Sequence, residues 1–506
     1  MSDNKTIAKN TLFLYVRMMV TMLIALYTSR VILQKLGVED YGIYNAVGGI
    51  VGFLSFLNAA ISAGTSRFLT YELGTGNYDK LRRTFSTVLT AHIIIAIIVV
   101  LLAETIGIWF LYHRMVVPAN RMTAAVVTYH LSIITAIVVL TQVPYNASII
   151  AHEKMVVYAY TSIIDVILKL ALCYLLGVVK GDRLVLYSIL MFVEHVGIML
   201  FYRFYCTRKF SETKYKFLID KSILKPILSF SVWSLLSNGT LALNNQGILI
   251  LLNMFFSPVV VSARAISIQV NNATNQLVTS FRTAANPQIV KLDAVGDYEG
   301  SHRLLLQSTK YSYYLMLILT VPIFFLADSL LHFWLGVNVP EFTTIFLQLV
   351  LIQSLFQVFD FSFYTALYTK GQIKENALIS PIIMFLVFLV VYYLFKSGSS
   401  PVAMSWASLI ASMLLALIVK PILIVKIADY KWKEILEVFI RCFIVTIIAS
   451  IPSFFVSKHI ENSGIGGFFL ELIILIIIVL IAAFSLGLNK SERKKICAYL
   501  VDKIIK

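Results

Sequence analysis

The sequence predicts an all-α, polytopic membrane protein with about fourteen transmembrane helices, arranged as two pseudo-symmetric six-helix lobes plus two extra C-terminal helices. Three observations predict it. Of the 506 residues, 59% are hydrophobic and 13% charged, where soluble globular chains are nearer half apolar and a quarter charged. Apolar runs long enough to cross a bilayer recur from one end of the chain to the other. Motifs in the first half return in the second, in the same order. The net charge of +16 would otherwise suggest a nucleic-acid partner. Here the basic residues cluster between the apolar runs, and their position speaks for membrane topology instead.

The N-terminal MSDNKTIAKN passes into an apolar run from about Thr11 to Leu33 with no small-residue cleavage site, the pattern of a retained first helix. Later runs cover approximately 41–62, 85–111, 122–145, 158–179, 184–206, 227–253, 259–281, 310–334, 342–364, 376–395, 402–425, 438–457 and 468–488. Each has about the twenty residues that a helix needs to cross the hydrocarbon. These are spans 1 to 14.

With the N-terminus inside, the cytosolic segments include RFLTYELGTGNYDKLRR, RFYCTRKFSETKYKFLIDKSILK, KGQIK, KIADYKWK and the tail NKSERKKICAYLVDKIIK. Inside segments together hold about 29 Lys and Arg against about 8 outside, a strong positive-inside bias. An even number of spans with both termini cytosolic satisfies it. The expected organisation is an N-lobe over 1–206 (spans 1–6), a basic cytosolic linker over 207–226 and a C-lobe over 227–426 (spans 7–12). Residues 427–506 add spans 13 and 14 and a basic tail, suited to an anionic leaflet or simply solvated.

GNYDKLRR (76–83), after span 2, corresponds to GDYEGSHR (296–303), after span 8. VVPANRMT (116–123) and NVPEFTT (338–344) follow spans 3 and 9, and YNASIIAHEK (145–154) and YTALYTKGQIK (364–374) close spans 4 and 10. The shared offset of about 220 residues puts spans 1–6 in register with 7–12, the parallel repeat of many transporters, whose site lies between the halves.

Span 8 carries most of the chemistry. On a helix, Arg264, Ser267, Asn271, Asn275, Thr279 and Arg282 fall within about 60° of one line that rises about 27 Å, nearly the hydrocarbon thickness. Each arginine at mid-bilayer costs about 2.5–3.5 kcal/mol, so this face should line water or a partner helix. Span 1 aligns Arg17, Thr21 and Thr28, with Arg30 near its outer end. Span 2 aligns Asn45, Gly48, Gly52, Ser55 and Ser62, and span 7 aligns Ser231, Ser234, Asn238 and Asn245. Taken singly, each arginine could snorkel to a headgroup and each asparagine could be interhelical glue. Jointly, on repeat-related spans that contain no Asp or Glu, they favour a cationic cavity for an anion. Arginine suits phosphate because its planar fork binds oxygens bidentately. The candidate substrate-binding residues are therefore Arg17, Arg30, Asn45, Asn238, Asn245, Arg264, Asn271, Asn275 and Arg282.

Span 5 places Asp165 and Lys169 four residues apart, where they can pair on one face. Span 6 has Glu194 and His195 near its centre. Asp165, Lys169 and Glu194 are the ion-coupling candidates, with a structural ion pair as the plainer reading of the first two. Asp360 and Asp328 sit towards span ends and read as interfacial, and Trp109 and Trp334 as interface anchors. The glycines of NAVGGIVGF read as close helix packing or bending. Cys173, Cys206, Cys442 and Cys497 show no disulfide or metal spacing. There is no phosphate-cradling glycine loop, no HExxH and no GxSxG.

NTLFLYVRMMVTMLIALYTSRVILQKLGVEDYGIYNAVGGI, SRFLTYELGTGNYDKLRRTFS, VPYNASIIAHEKM, ARAISIQV and NPQIVK resemble the polysaccharide-export (O-antigen flippase) branch of the MATE-like MOP exporter superfamily. The resemblance runs from about residue 10 to 490 and is most characteristic in LGVEDYGIYN and NPQI. It implies two six-helix lobes forming a V, alternating access across the bacterial cytoplasmic membrane, and a lipid-linked oligosaccharide on undecaprenyl pyrophosphate as substrate. Flippases of this kind hold the pyrophosphate with cationic residues on helices 1 and 8. Arg17 and Arg264 match in helix and depth, with Arg30 and Arg282 in support. The resemblance also implies other polysaccharide-assembly membrane proteins as partners. It implies no cofactor beyond a proton or sodium gradient. The lipid II flippase relatives share the two extra helices, but their arginine spacing in helix 1 is not reproduced. The competing readings are a MATE-type small-molecule or drug antiporter, which would want an acidic cavity residue, and a glycan-lipid polymerase or ligase, which would want a large outer loop.

Overall fold

Among the described residues, apolar runs punctuated by Gly, Asn and Asp fold as helices, with no strand. A computed structural model describes residues 2–506 except 55, 179–180, 226–238, 241, 337–338, 373, 460–463 and 495–506; the side chains of 2–16, 58–61, 63–64, 67, 283–284 and 287 also lie outside the description. In order, the first helices are α1 (Ser2–Leu36), α2 (Val38–Leu54), α3 (Phe56–Thr75), α4 (Tyr78–Leu102), α5 (Ile108–His113), α6 (Met122–Ala151), α7 (Met155–Leu175) and α8 (Arg183–Lys209). The second half continues with α9 (Ile248–Phe255), α10 (Pro258–Ala294), α11 (Tyr298–Phe325), α12 (Ala327–Leu335), α13 (Thr343–Thr369) and α14 (Lys374–Lys396). Last come α15 (Ala403–Leu414), α16 (Lys420–Ala428), α17 (Trp432–His459) and α18 (Gly464–Ala482).

Ten helical stretches among the described residues are long and apolar enough to cross a membrane, and α11 with α12 makes an eleventh if the bent pair is one span. The chain is a multi-pass membrane protein. The three expected spans that fall short are 2, 7 and 8. Span 7 lies partly outside the described residues, and α10, which contains span 8, is 37 residues long but too polar to qualify. Span 9, expected as one helix over 310–334, is instead broken at Leu326 and bent by 80°.

The chain divides into two compact units, Met1–Ile266 with Pro381–Pro401, and Ser267–Ser380 with Val402–Lys506. Inside the first, α6 packs against α2, α3, α4 and α8, and α7 lies along α1. Its core includes Leu69, Phe85, Tyr145, Ile149 and Cys206. The glycines of α2 differ: Gly48 faces open space, and the others pack. A Cβ on Gly42 would stand 1.9 Å from the Pro258 carbonyl oxygen, and Gly49 and Gly52 face the Gln246 side chain. Inside the second unit, α11 packs against α13, α17 and α18. Its core is aromatic, with Tyr313 stacked on Phe359 at 4.9 Å and Phe439 edge-on to Phe359 at 4.8 Å.

The repeated motifs fold alike. Gly76 (φ 70°) precedes Asn77, whose side chain caps α4 by accepting from Lys80 N at 3.0 Å. Gly296 (φ 84°) precedes Asp297, which caps α11 by accepting from Gly300 N at 2.9 Å. The Pro118 carbonyl accepts from Arg121 N as the Pro340 carbonyl accepts from Thr343 N. At the ends of α6 and α13, Lys154 N bonds Ile149 O and Gln372 N bonds Leu367 O, around left-handed Glu153 and Gly371. Both are left-handed helix ends of the Schellman kind.

Candidate binding and coupling sites

In the first unit, Arg17 projects from α1 towards α7. Its Nη1 donates to Ser162 Oγ at 3.4 Å, its guanidinium lies 4.8 Å from the Tyr158 ring centre, and its buried Nε has no partner. Arg30, farther along α1, is half-buried. Arg264, on α10, is only 6% exposed, and its Nε and Nη1 are buried without hydrogen-bond partners. No carboxylate among the described residues stands within ion-pair distance of Arg17 or Arg264. Asn45 turns its amide onto its own helix, donating to the Tyr41 carbonyl at 2.7 Å. Asn245 is exposed, in a π-helical turn over Leu243–Gly247. Asn238 lies outside the described residues, as do Ser231 and Ser234.

The same unit brings the coupling candidates together. Lys169 Nζ is 3.0 Å from Asp165 Oδ2 on α7 and 3.9 Å from Glu194 Oε2 on α8. The Glu194 side chain is fully buried. His195 Nδ1 is 2.9 Å from it but faces the Met191 carbonyl at 2.8 Å, so neither Glu194 oxygen accepts a hydrogen bond. The i,i+4 pair was legible in the sequence. The arrival of Glu194 from the next helix was not.

In the second unit the asparagines of α10 bind α13. Asn275 Nδ2 donates to Asn271 Oδ1 at 3.0 Å and to Ser354 Oγ at 3.2 Å, and Ser354 Oγ donates to Asn271 Oδ1. This closed triangle spends the amides on helix–helix fastening. Arg282 donates from Nη2 to Thr279 at 3.1 Å and lies 5.0 Å from the Phe361 ring centre, with Nη1 buried and unpartnered. Asp360 is 2.9 Å from Lys420, itself only 3% exposed. Lys420 was missed because a cation near the end of an apolar run reads as snorkelling. Asp328 is exposed.

The helices that carry these residues have solved counterparts. The chain superposes on the lipid II flippase MurJ in an inward closed conformation with a TM-score of 0.70 at 12% identity, covering 93% of this chain and 98% of that one. The fold is that of the MOP-superfamily transporters. A multidrug-resistance MATE transporter of the same superfamily, inward-facing, matches at TM-score 0.66 and 15% identity over 82% of this chain and 99% of that one. A MOP-superfamily transporter from Pyrococcus furiosus, described by the reverse polarity of its binding pocket, matches at 0.56 and 16% over 83% and 96%. No protein-family model and no curated protein matches the sequence. Flippases and drug transporters share this MOP fold, so the charges inside it must separate the two readings.

Proposed function

We propose that the chain is a flippase that moves a lipid-linked oligosaccharide across the bacterial cytoplasmic membrane for polysaccharide or lipopolysaccharide biosynthesis, both of its termini being cytosolic. Arg264 carries the reading: a buried guanidinium with two unpartnered nitrogens and no carboxylate nearby. A charge buried without a partner is costly, and a diphosphate offers the bidentate acceptors that would complete it. Arg17 and Arg30, in the same unit as Arg264, supply further cationic contacts, and Asn245 a polar one. The prenyl chain stays in lipid while alternating access carries the sugar diphosphate. No hydrolysis step is needed. A proton or sodium gradient resets the cycle through Asp165, Lys169 and Glu194, because two carboxylates around one ammonium leave an uncompensated anion that a cation can neutralise. Other polysaccharide-assembly membrane proteins are the natural partners.

The test is translocation of an undecaprenyl-pyrophosphate oligosaccharide in proteoliposomes. Wild type should move it, Arg264→Ala and Arg17→Ala should not, and Arg264→Lys should retain part of the activity. No movement by wild type of any lipid-linked glycan rejects the assignment. Glu194→Gln with undiminished gradient dependence rejects the coupling role.

A second reading, a MATE-type small-molecule or drug antiporter, is favoured by one observation, the fully buried Glu194 beside Asp165. It predicts that wild type exchanges an organic cation for protons and that Glu194→Gln abolishes this.

A further inference from the structure

Glu471 lies on α18 and is 0% exposed, with neither carboxyl oxygen hydrogen-bonded. The residues one turn to either side, Phe468 and Leu475, form a buried cluster with Leu326, at the break between α11 and α12. Leu330 of α12 and Val456 of α17 pack on that cluster. The carboxyl is therefore enclosed in an apolar seam within one unit, at the point where span 9 bends. A single carboxylate without a second oxygen donor cannot hold a metal cation, which takes six to eight oxygens or an octahedron of them. Its one fitting ligand is a proton, since an unpaired charge at that depth is expensive and a neutral acid far less so.

Among the described residues no neighbouring charge relieves it. Those titratable at this end of the seam are Asp328 and His332 on α12 and Lys458 and His459 on α17, all exposed. Deeper groups on α11 are already paired: Lys310 with Glu492 at 2.8 Å, Tyr313 with Thr446 at 2.9 Å, and Tyr314 with the Gly487 carbonyl at 3.2 Å. On α17, Arg441 is paired with Glu437 at 2.6 Å, and Cys442 sits in the aromatic core. None is within ion-pair distance of Glu471.

We propose that Glu471 is an intramembrane proton-binding site, neutral while the α18 seam is closed and deprotonated only when the seam opens to water at the break in span 9. The position is accessible to exchange, because Glu471 is seven residues into α18, about 10 Å along the helix. Protonation then sets whether α18 is docked on α11 and α12. This does not depend on which substrate is carried.

The test uses full-length protein in nanodiscs with a hydrophobic carbodiimide, which adds to protonated carboxyls. The N-acylurea adduct should map to Glu471 by mass spectrometry. Its rate of formation should fall about tenfold per pH unit above the midpoint. A water-soluble carbodiimide should label it far more slowly. No adduct at any pH, or equal labelling by both reagents, overturns the proposal. Amide exchange across residues 466–478, corrected for intrinsic rates, should rise with pH in wild type but not in Glu471→Gln. The same pH response in both proteins overturns it as well.

Discussion

Glu194 and Lys169 stand 3.9 Å apart on neighbouring helices, and the same ammonium is 3.0 Å from Asp165. One cation thus holds two carboxylates at hydrocarbon depth. Removing it should leave them facing each other without compensation. Lys169→Met should lower the unfolding free energy of the purified protein by about 1–3 kcal/mol. Adding Asp165→Asn should recover most of the loss, giving a coupling energy of about 0.5–3 kcal/mol in the double-mutant cycle. Additive effects would mean that the three groups do not act as a unit.

Arg264 gives the opposite sign. Its guanidinium has unpartnered nitrogens in a buried site, so the empty protein bears a desolvation cost that a substrate anion would relieve. Arg264→Met, close in volume and uncharged, should leave the melting temperature unchanged or raise it, while abolishing the stabilisation that added prenyl pyrophosphate gives wild type. At a ligand concentration about a hundredfold above Kd that stabilisation is about 2.7 kcal/mol. A large loss of stability without ligand would mark Arg264 as a structural residue.

Two glycines six residues apart on α2 separate packing from propensity. A Cβ on Gly42 would meet the Pro258 carbonyl oxygen at 1.9 Å, whereas one on Gly48 meets nothing within 4 Å. Gly42→Ala must push two backbones apart and should cost more than about 2 kcal/mol. Gly48→Ala relieves a flexible residue inside a helix and should gain about 0.5–1 kcal/mol. Thermal melts of the two variants check both signs.

Much of this architecture was legible because its signals are local. Run length marks most of the spans, and the caps at Asn77 and Asp297 follow from residue type at fixed offsets. The Asp165–Lys169 pair follows from helical spacing alone. What was illegible is long-range. Nothing at Asn271 announces Ser354, 83 residues away, and nothing at Asp360 announces Lys420. The stripe on span 8 was real as a pattern, yet Asn271 and Asn275 fasten helices while Arg264 stays unpartnered, a division that periodicity does not encode. The break at Leu326 was also hidden. Pro322 precedes it, but Pro144, Pro381 and Pro452 sit inside unbroken helices, so proline alone was no signal.

Arg121 ties two carboxylates at helix starts in the first unit, Asp40 in the first turn of α2 at 2.7 Å and Asp182 at the N-cap of α8 at 2.6 Å. They should titrate in opposite senses. Burial pushes the Asp182 carboxyl up, but Arg121 and the N–H groups of Val185 and Leu184 outweigh it, and it is held below its ordinary value of 3.8. Its contribution is present above that unfolded value and is lost as the pH falls through the lower folded one. For Asp40 burial wins over Arg121, and its carboxyl is held above 3.8. That ionised group opposes folding, and the penalty fades as the pH falls from the folded value towards the unfolded one. Asp182→Ala should therefore cost about 1 kcal/mol near neutrality, part of it the lost cap on α8. Its deficit relative to wild type should shrink as the pH falls below 3.8 through the lower folded value. Asp40→Asn should be neutral or stabilising near neutrality and lose that advantage in acid. Melting curves of the three proteins over this range decide it: parallel curves for both variants would show that Arg121 holds the two aspartates in the same way.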